Sequence, residues 1–138
     1  MGEDLASANV NRSYTLAASS IAIFTFTLFF LYPRYVSGEA NPILFKATII
    51  VMGLATFSFV FASFYYYLCS LAGRVDDEER LRFSRRADRF WLFGCTMMFL
   101  APNLILFSLA LIEVASVWLA LWLIYLSFFL RHFPKVQT

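Results

Sequence analysis

The segment RVDDEERLRFSRRADRF, residues 74 to 90, interrupts the apolar sequence of this chain. It holds six Arg and five Asp or Glu, while the whole chain of 138 residues has only 11 Lys or Arg and 9 Asp or Glu. Hydrophobic residues make up 61% of the sequence and charged residues 14%, whereas a soluble domain carries about 25% charged residues. The composition therefore indicates a membrane protein, and the charged segment divides it into two apolar halves.

Apolar runs on either side of this segment predict four transmembrane helices. Crossing the hydrocarbon core, which is about 30 Å thick, takes roughly 20 apolar residues in a helix. The sequence supplies such runs at about residues 15–32, 43–72, 90–111 and 115–131. The last two are separated by a single charge, Glu113, and one helix through both would measure about 60 Å, so a turn is expected at residues 112–114. We predict a single all-α domain, an integral membrane protein whose four helices form an antiparallel bundle.

The Lys and Arg residues predict which side of the membrane each loop occupies. Positively charged residues collect on the cytoplasmic side of short loops. With four spans, the N-terminus, the charged segment and the C-terminus share one side, and they hold nine of the 11 basic residues: Arg12, Arg74, Arg80, Arg82, Arg85, Arg86, Arg89, Arg131 and Lys135. Only Arg34 and Lys46 fall on the other side. We therefore expect a multi-pass protein of the plasma (inner) membrane with both termini in the cytoplasm.

The order of charges within residues 74–90 predicts a helix. Asp76 followed by Glu79 has the spacing of a helix N-cap, and acids crowd the first turn while Arg crowds the later turns, as the helix dipole favours. Glu78 and Arg82 are four residues apart, which suits an ion pair on one helix face. One stripe continues from this segment into the third span: Phe83, Ala87, Phe90, Gly94 and Met97. The third helix is thus expected to extend into the cytoplasm.

The Arg side chains of this extension have two interpretations. The residues concerned are Arg80, Arg82, Arg85, Arg86 and Arg89. They lie solvated among the headgroups of anionic lipids, or they form a docking surface for a cytoplasmic or membrane protein partner. Nucleic acid is not expected as a partner, because the net charge is only +2 and the basic residues alternate with acids.

The spans lack the residue types that catalysis in a membrane requires. No span has an Asp, Glu, Arg or His in its middle, although such residues mark proton relays and ion sites. Cys69 and Cys95 fall near the cytoplasmic ends of their spans, where disulfides rarely persist. His132 is the only histidine, which is too few for a zinc site or a bis-histidine haem. We therefore expect neither an enzyme nor a bound metal or cofactor.

Small and polar residues recur along each span on one face, and we call these faces the polar seams. They consist of Ser13, Ser20 and Thr27; Thr56, Ser63 and Ser70; Thr96, Asn103 and Ala110; and Ser116, Ala120 and Ser127. Spacing by seven keeps a face turned toward a neighbouring helix, and membrane helices place small and polar residues at their contacts. The seams therefore either close an ordinary helix bundle or line a pore or a small-ligand cavity. Trp118 and Trp122, one turn apart on the fourth span, are a further candidate contact face.

Two pairs of residues stand out within this pattern. Pro102 removes a backbone hydrogen bond in the middle of the third span, and Asn103 beside it is able to bond a freed carbonyl or another helix. The pair is either a kink needed for packing or a hinge or polar constriction, so Thr96, Pro102 and Asn103 are the candidate pore or hinge residues. Lys46 and Glu113 are expected near the outer surface, either as a mutual salt bridge or as a charged ring at the mouth of an oligomer.

The sequence leaves two functions open. The first is a homo-oligomeric ion channel or pore-forming protein, which the polar seams and Pro102 favour. The second is a non-transporting accessory or scaffold subunit of a membrane complex, whose Arg/Glu-rich cytoplasmic segment docks a partner. The oligomeric state distinguishes them, because a symmetric ring of four or more chains favours a pore and a monomer awaiting another chain favours the accessory role.

Overall fold

The computed structural model of the chain describes residues 2–71 and 76–132. This part contains four helices, α1 (Gly2–Val36), α2 (Pro42–Ser70), α3 (Asp77–Ser108) and α4 (Ile112–His132), and no strand. By length and composition, each of the four is able to cross a membrane. The prediction of an all-α chain with four candidate spans is therefore confirmed. Arg74 and Lys135, two of the basic residues assigned to the cytoplasmic side, lie outside the described residues.

The connection between α1 and α2 is short, and its residue types match the backbone conformation at each position. Gly38 has a φ of 78°, a left-handed conformation that glycine adopts without steric cost. Asn41 then caps α2, since its Oδ1 accepts hydrogen bonds from two backbone N–H groups of the first turn at 3.0 and 3.2 Å. Pro42 follows at the start of the helix, where its missing N–H is no loss. The backbone N–H of Asn41 also donates to the carbonyl of Ser108 at 3.4 Å, so this connection lies beside the end of α3.

The charged segment begins α3, and the charge pattern behaves as predicted. Asp76 is the N-cap, and its side chain accepts a hydrogen bond from the backbone N–H of Asp77 at 2.9 Å. Glu78 and Arg82 form the expected ion pair, with 3.6 Å between a carboxylate oxygen and a guanidinium nitrogen. The helix continues without a break through Pro102, and its 32 residues measure about 48 Å. A single helix therefore joins the charged residues to the third span.

The turn between α3 and α4 comes earlier than predicted. It comprises residues 109–111, and residues 112–114 form the first turn of α4 instead. Ala110 makes the turn with a φ of 59°, a conformation that costs a non-glycine residue roughly 1–2 kcal/mol. Glu113, whose charge suggested a turn, lies in the first turn of α4, where the helix dipole favours an acid.

The core lies where α1, α2 and α3 meet. Phe59, in the middle of α2, is completely buried and packs with Ala55 of its own helix and Ala17 of α1. Its ring faces α3 at Gly94, where a Cβ atom would come within 2.9 Å of the ring. A second cluster is formed by Ala62, Tyr66 and Ala87. The stripe predicted on the third helix is therefore a packing face at Ala87 and Gly94.

The fourth helix is peripheral to this core. It packs against α3, and among its described side chains only that of Ala115 is buried. Most of its large apolar side chains are exposed. In a membrane this is no defect, because an apolar side chain gains nothing by leaving lipid.

Candidate functional site

The polar seam of α1 faces the inside of the chain. Ser13, Ser20 and Thr27 are all buried. Ser20 Oγ lies 2.8 Å from Thr56 Oγ1 of α2. Because the hydroxyl of Thr56 donates to a carbonyl of its own helix at 3.0 Å, it accepts from Ser20. The first seam therefore joins α1 to α2, and Ser63 of the second seam is buried in the same interior.

The polar seam of α4 has the opposite placement. Ser116, Ala120 and Ser127 are all exposed. Ser116 donates its hydroxyl to the carbonyl four residues earlier in its own helix, at 2.8 Å. This seam is thus a row of small residues on the outer surface of the chain.

The candidate pore or hinge residues lie along α3 and have separate partners. Asn103 is only 1% exposed; its Nδ2 donates to the carbonyl of Phe99 at 3.4 Å, and its Oδ1 is buried with no partner among the described residues. Thr96 donates its hydroxyl to its own helix at 3.0 Å, and its carbonyl accepts a hydrogen bond from the indole N–H of Trp122 at 3.2 Å. Thr96 therefore lies at the contact with α4, and Trp122 is a contact residue, as predicted for the fourth span.

Lys46 and Glu113 have exposed side chains that do not pair. The one ion pair in the described part of the chain joins Arg82 to Glu78. Both Lys46 and Glu113 lie close in sequence to the contact between Asn41 and Ser108, so they belong to the same end of the molecule. The salt-bridge interpretation therefore has no support here, and the charged ring of an oligomer stays a prediction.

The other end of the molecule holds a polar cluster that sequence reasoning missed. Tyr66 of α2 donates its hydroxyl to Asp88 Oδ1 of α3 at 2.6 Å. The guanidinium carbon of Arg12 lies 5.0 Å from the ring centre of Trp91, in a cation–π contact between α1 and α3. The only sequence signal for this cluster is that Asp88 is the single acid in the Arg-rich half of the charged segment. Three helices are thus tied together where the charged part of α3 meets its apolar part.

The five Arg residues of the predicted surface differ in their surroundings. Arg80 is partly buried, and its Nη2 is enclosed with no hydrogen-bond partner among the described residues. Arg82 pairs with Glu78, and the side chains of both are mostly exposed. Arg85, Arg86 and Arg89 are exposed and have no carboxylate partner in the described part.

A groove runs along the outside of the contact between α2 and α3. Its volume is about 720 Å³. Arg86 and Arg89 lie at the border of this groove, whose walls are mainly aromatic and aliphatic. Sequence reasoning identified the Arg residues but not the groove, because its walls are formed by side chains of two different helices.

The described residues contain no group of three or more His, Cys, Asp or Glu side chains placed to hold a metal ion. Cys69 and Cys95 are free thiols, and the thiol of Cys69 donates a weak hydrogen bond to the carbonyl of Arg80 at 3.5 Å. The chain matches no known family model, and no curated protein or solved structure is detectably similar to it.

Proposed function

We propose that the chain is a non-transporting accessory or scaffold subunit of a membrane complex. It crosses the membrane four times as an antiparallel bundle, with both termini and the charged part of α3 in the cytoplasm. The exposed charged face of α3, around Arg82 and Arg85, docks the partner protein.

The observation that carries this proposal is the burial of polar side chains within one chain. Ser13, Ser20, Thr27, Ser63 and Asn103 all lie inside it. A pore needs polar side chains or backbone groups along its path to replace the water around an ion. Because these side chains are buried inside one chain, they are not placed to line a conduction path between copies.

Contacts at the two ends of the molecule support the topology. At one end Arg12 of α1 lies over Trp91 of α3, and Tyr66 near the end of α2 bonds to α3 as well. At the other end Asn41 bonds to Ser108. An antiparallel arrangement accounts for both sets of contacts. The Lys/Arg asymmetry then favours a cytoplasmic position for the first end.

A homo-oligomeric channel is the second candidate, and the polar seam of α4 favours it. Ser116, Ala120 and Ser127 are exposed on one face. Small residues on one face of a membrane helix allow another helix to approach closely. A second copy packed on this seam would begin an oligomer, with a pore enclosed between the copies.

The oligomeric state and the ion flux of the purified chain distinguish the two candidates. The accessory proposal predicts a monomer in mild detergent, measured by light scattering, and no ion flux above that of empty liposomes. It also predicts that a partner retained by the wild-type chain from its native membrane is lost from an Arg82→Gln/Arg85→Gln variant that still inserts and folds.

A symmetric assembly of four or more chains that conducts ions would overturn the accessory proposal. The variant Asn103→Leu then tests the pore itself. A polar constriction made apolar should alter flux while the assembly stays intact. If Asn103 serves packing alone, the variant changes stability by about 1 kcal/mol or less and leaves flux unchanged.

A further inference from the structure

The groove between α2 and α3 has a wall that suits an acyl chain. Leu54, Phe57 and Phe61 line it from α2, and Phe93 lines it from α3. These four side chains are each between 43% and 65% exposed, so they face the surroundings of the chain and not its core. From residue 54 to residue 61 the α2 wall extends about 10 Å along the helix. Such a surface is covered by lipid in a bilayer.

The border of the same groove is positively charged. Arg86 and Arg89 are three residues apart and therefore share a face of α3, and Phe93 follows one turn later on that face. Neither Arg has a carboxylate partner among the described residues, in contrast to Arg82, which pairs with Glu78. Two unpaired guanidinium groups at the end of an apolar groove complement one anionic group that carries an apolar tail.

The depth of the two Arg residues fits a lipid headgroup. Arg89 lies directly before Phe90, where the apolar part of α3 begins, and Arg86 lies one turn earlier. Tyr65 and Trp91, residue types that settle at the membrane interface, are at the same level, and Arg12 contacts the ring of Trp91. Basic pockets between transmembrane helices at this depth bind the headgroups of anionic lipids.

We infer that this groove binds one anionic glycerophospholipid. Its phosphate accepts charge-assisted hydrogen bonds from Arg86 and Arg89, for which the guanidinium geometry is well matched. One acyl chain lies along Leu54, Phe57, Phe61 and Phe93. This inference requires only that the chain is embedded in a membrane, and it holds whether the protein is an accessory subunit or a channel.

Native mass spectrometry of the full chain in detergent, titrated with phosphatidylglycerol or phosphatidylcholine of the same acyl chains, tests the inference. The wild-type chain should retain one phosphatidylglycerol in preference to phosphatidylcholine. The variant Arg86→Gln/Arg89→Gln should bind phosphatidylglycerol about tenfold or more weakly, because two charge-assisted bonds are lost. The matched control Arg82→Gln/Arg85→Gln removes the same charge from the neighbouring positions and should stay within about twofold of the wild type.

Two further measurements separate this site from simpler explanations. Inorganic phosphate should not displace the lipid, because it lacks the acyl chain; displacement at equal concentration would mean a phosphate site and would overturn the lipid assignment. Because the acyl chain is placed against Phe93, Phe93→Ser should weaken the binding of both phospholipids. Equal losses in the two Arg double variants would show general attraction to the basic helix, which would also overturn the inference.

Discussion

The two sides of α3 make contacts of different kinds. Toward α2, Phe59 is fully buried over Gly94, with no room for a methyl group between the ring and the helix. Toward α4, aromatic side chains that include Phe99, Trp122 and Tyr125 surround a pocket of about 170 Å³. The same helix is therefore closely packed on one side and loosely packed on the other.

This difference shows what holds membrane helices together. Apolar side chains gain little by leaving lipid, so association depends on van der Waals contact and on hydrogen bonds between helices. The contact between α2 and α3 has both, because Gly94 admits the ring of Phe59 and Tyr66 bonds to Asp88. The contact of α4 includes a hydrogen bond from the indole N–H of Trp122 to the backbone carbonyl of Thr96, but it borders an open pocket. We therefore regard α1, α2 and α3 as the stable unit and α4 as the helix that a partner or a second copy is best able to displace.

Adding a methyl group at Gly94 should disrupt the close packing between α2 and α3. In Gly94→Ala the new Cβ lies 2.9 Å from the ring of Phe59, which is completely buried, so the free energy of unfolding should fall by about 1–3 kcal/mol. That loss prevails over the helix propensity gained from Ala, which is at most about 1 kcal/mol. Unfolding in mixed micelles with increasing SDS measures the change.

Gly53 provides the matched control for this experiment. It is a glycine within α2, and a Cβ there would have no atom within 4 Å. Gly53→Ala should therefore be neutral or slightly stabilising. If both variants lose stability equally, the cost comes from glycine as such, and the close contact at Gly94 is not what holds the two helices.

The sequence predicts the helices of this chain better than it predicts their partners. Four apolar runs give four helices, and Asp76 and the Glu78–Arg82 pair act as their local pattern indicates. Phe59 could not be selected as the centre of the core, because it is one of 17 Phe residues and lipid-facing positions are equally apolar. On α1 and α3, small and polar residues indicated the buried positions instead. Gly94 and the Ser13–Ser20–Thr27 seam both proved to be buried.

The candidate sites were harder to predict because they depend on residues from different helices. The hydrogen bond between Tyr66 and Asp88 joins residues 22 positions apart, and no local pattern marks it. The groove beside Arg86 and Arg89 likewise exists only where α2 and α3 meet. The turn predicted around Glu113 was wrong for a different reason. A single charge in an apolar run suggested a turn, but Glu113 is an acid in the first turn of α4.

Removal of the Tyr66 hydroxyl should weaken the contact between α2 and α3 by less than Gly94→Ala does. Tyr66→Phe loses the bond to the Asp88 carboxylate, and a hydrogen bond to a charged group is worth about 1.5–3 kcal/mol when buried. Because Asp88 is partly exposed, we expect about 1–2 kcal/mol in the free energy of unfolding.

Tyr67→Phe is the control, since Tyr67 is exposed on the neighbouring position of α2. It should leave stability unchanged. Equal stability of Tyr66→Phe and the wild type would show that water replaces the lost bond and that packing alone holds α2 to α3.

The smallest effect is expected on the loosely packed side. Trp122→Phe keeps an aromatic ring beside the pocket but loses the hydrogen bond from the indole N–H to the Thr96 carbonyl. Interhelical hydrogen bonds in membranes average about 0.6 kcal/mol, so the free energy of unfolding should change by about that amount.

Trp118→Phe is the control, because Trp118 lines the same pocket and is 41% exposed. Crosslinking between cysteines introduced on α3 and α4 should become less efficient in Trp122→Phe, while crosslinking between α2 and α3 should not. If Trp122→Phe instead costs as much as Gly94→Ala, then α4 is held as firmly as α2, and the division into a stable three-helix unit and a displaceable fourth helix fails.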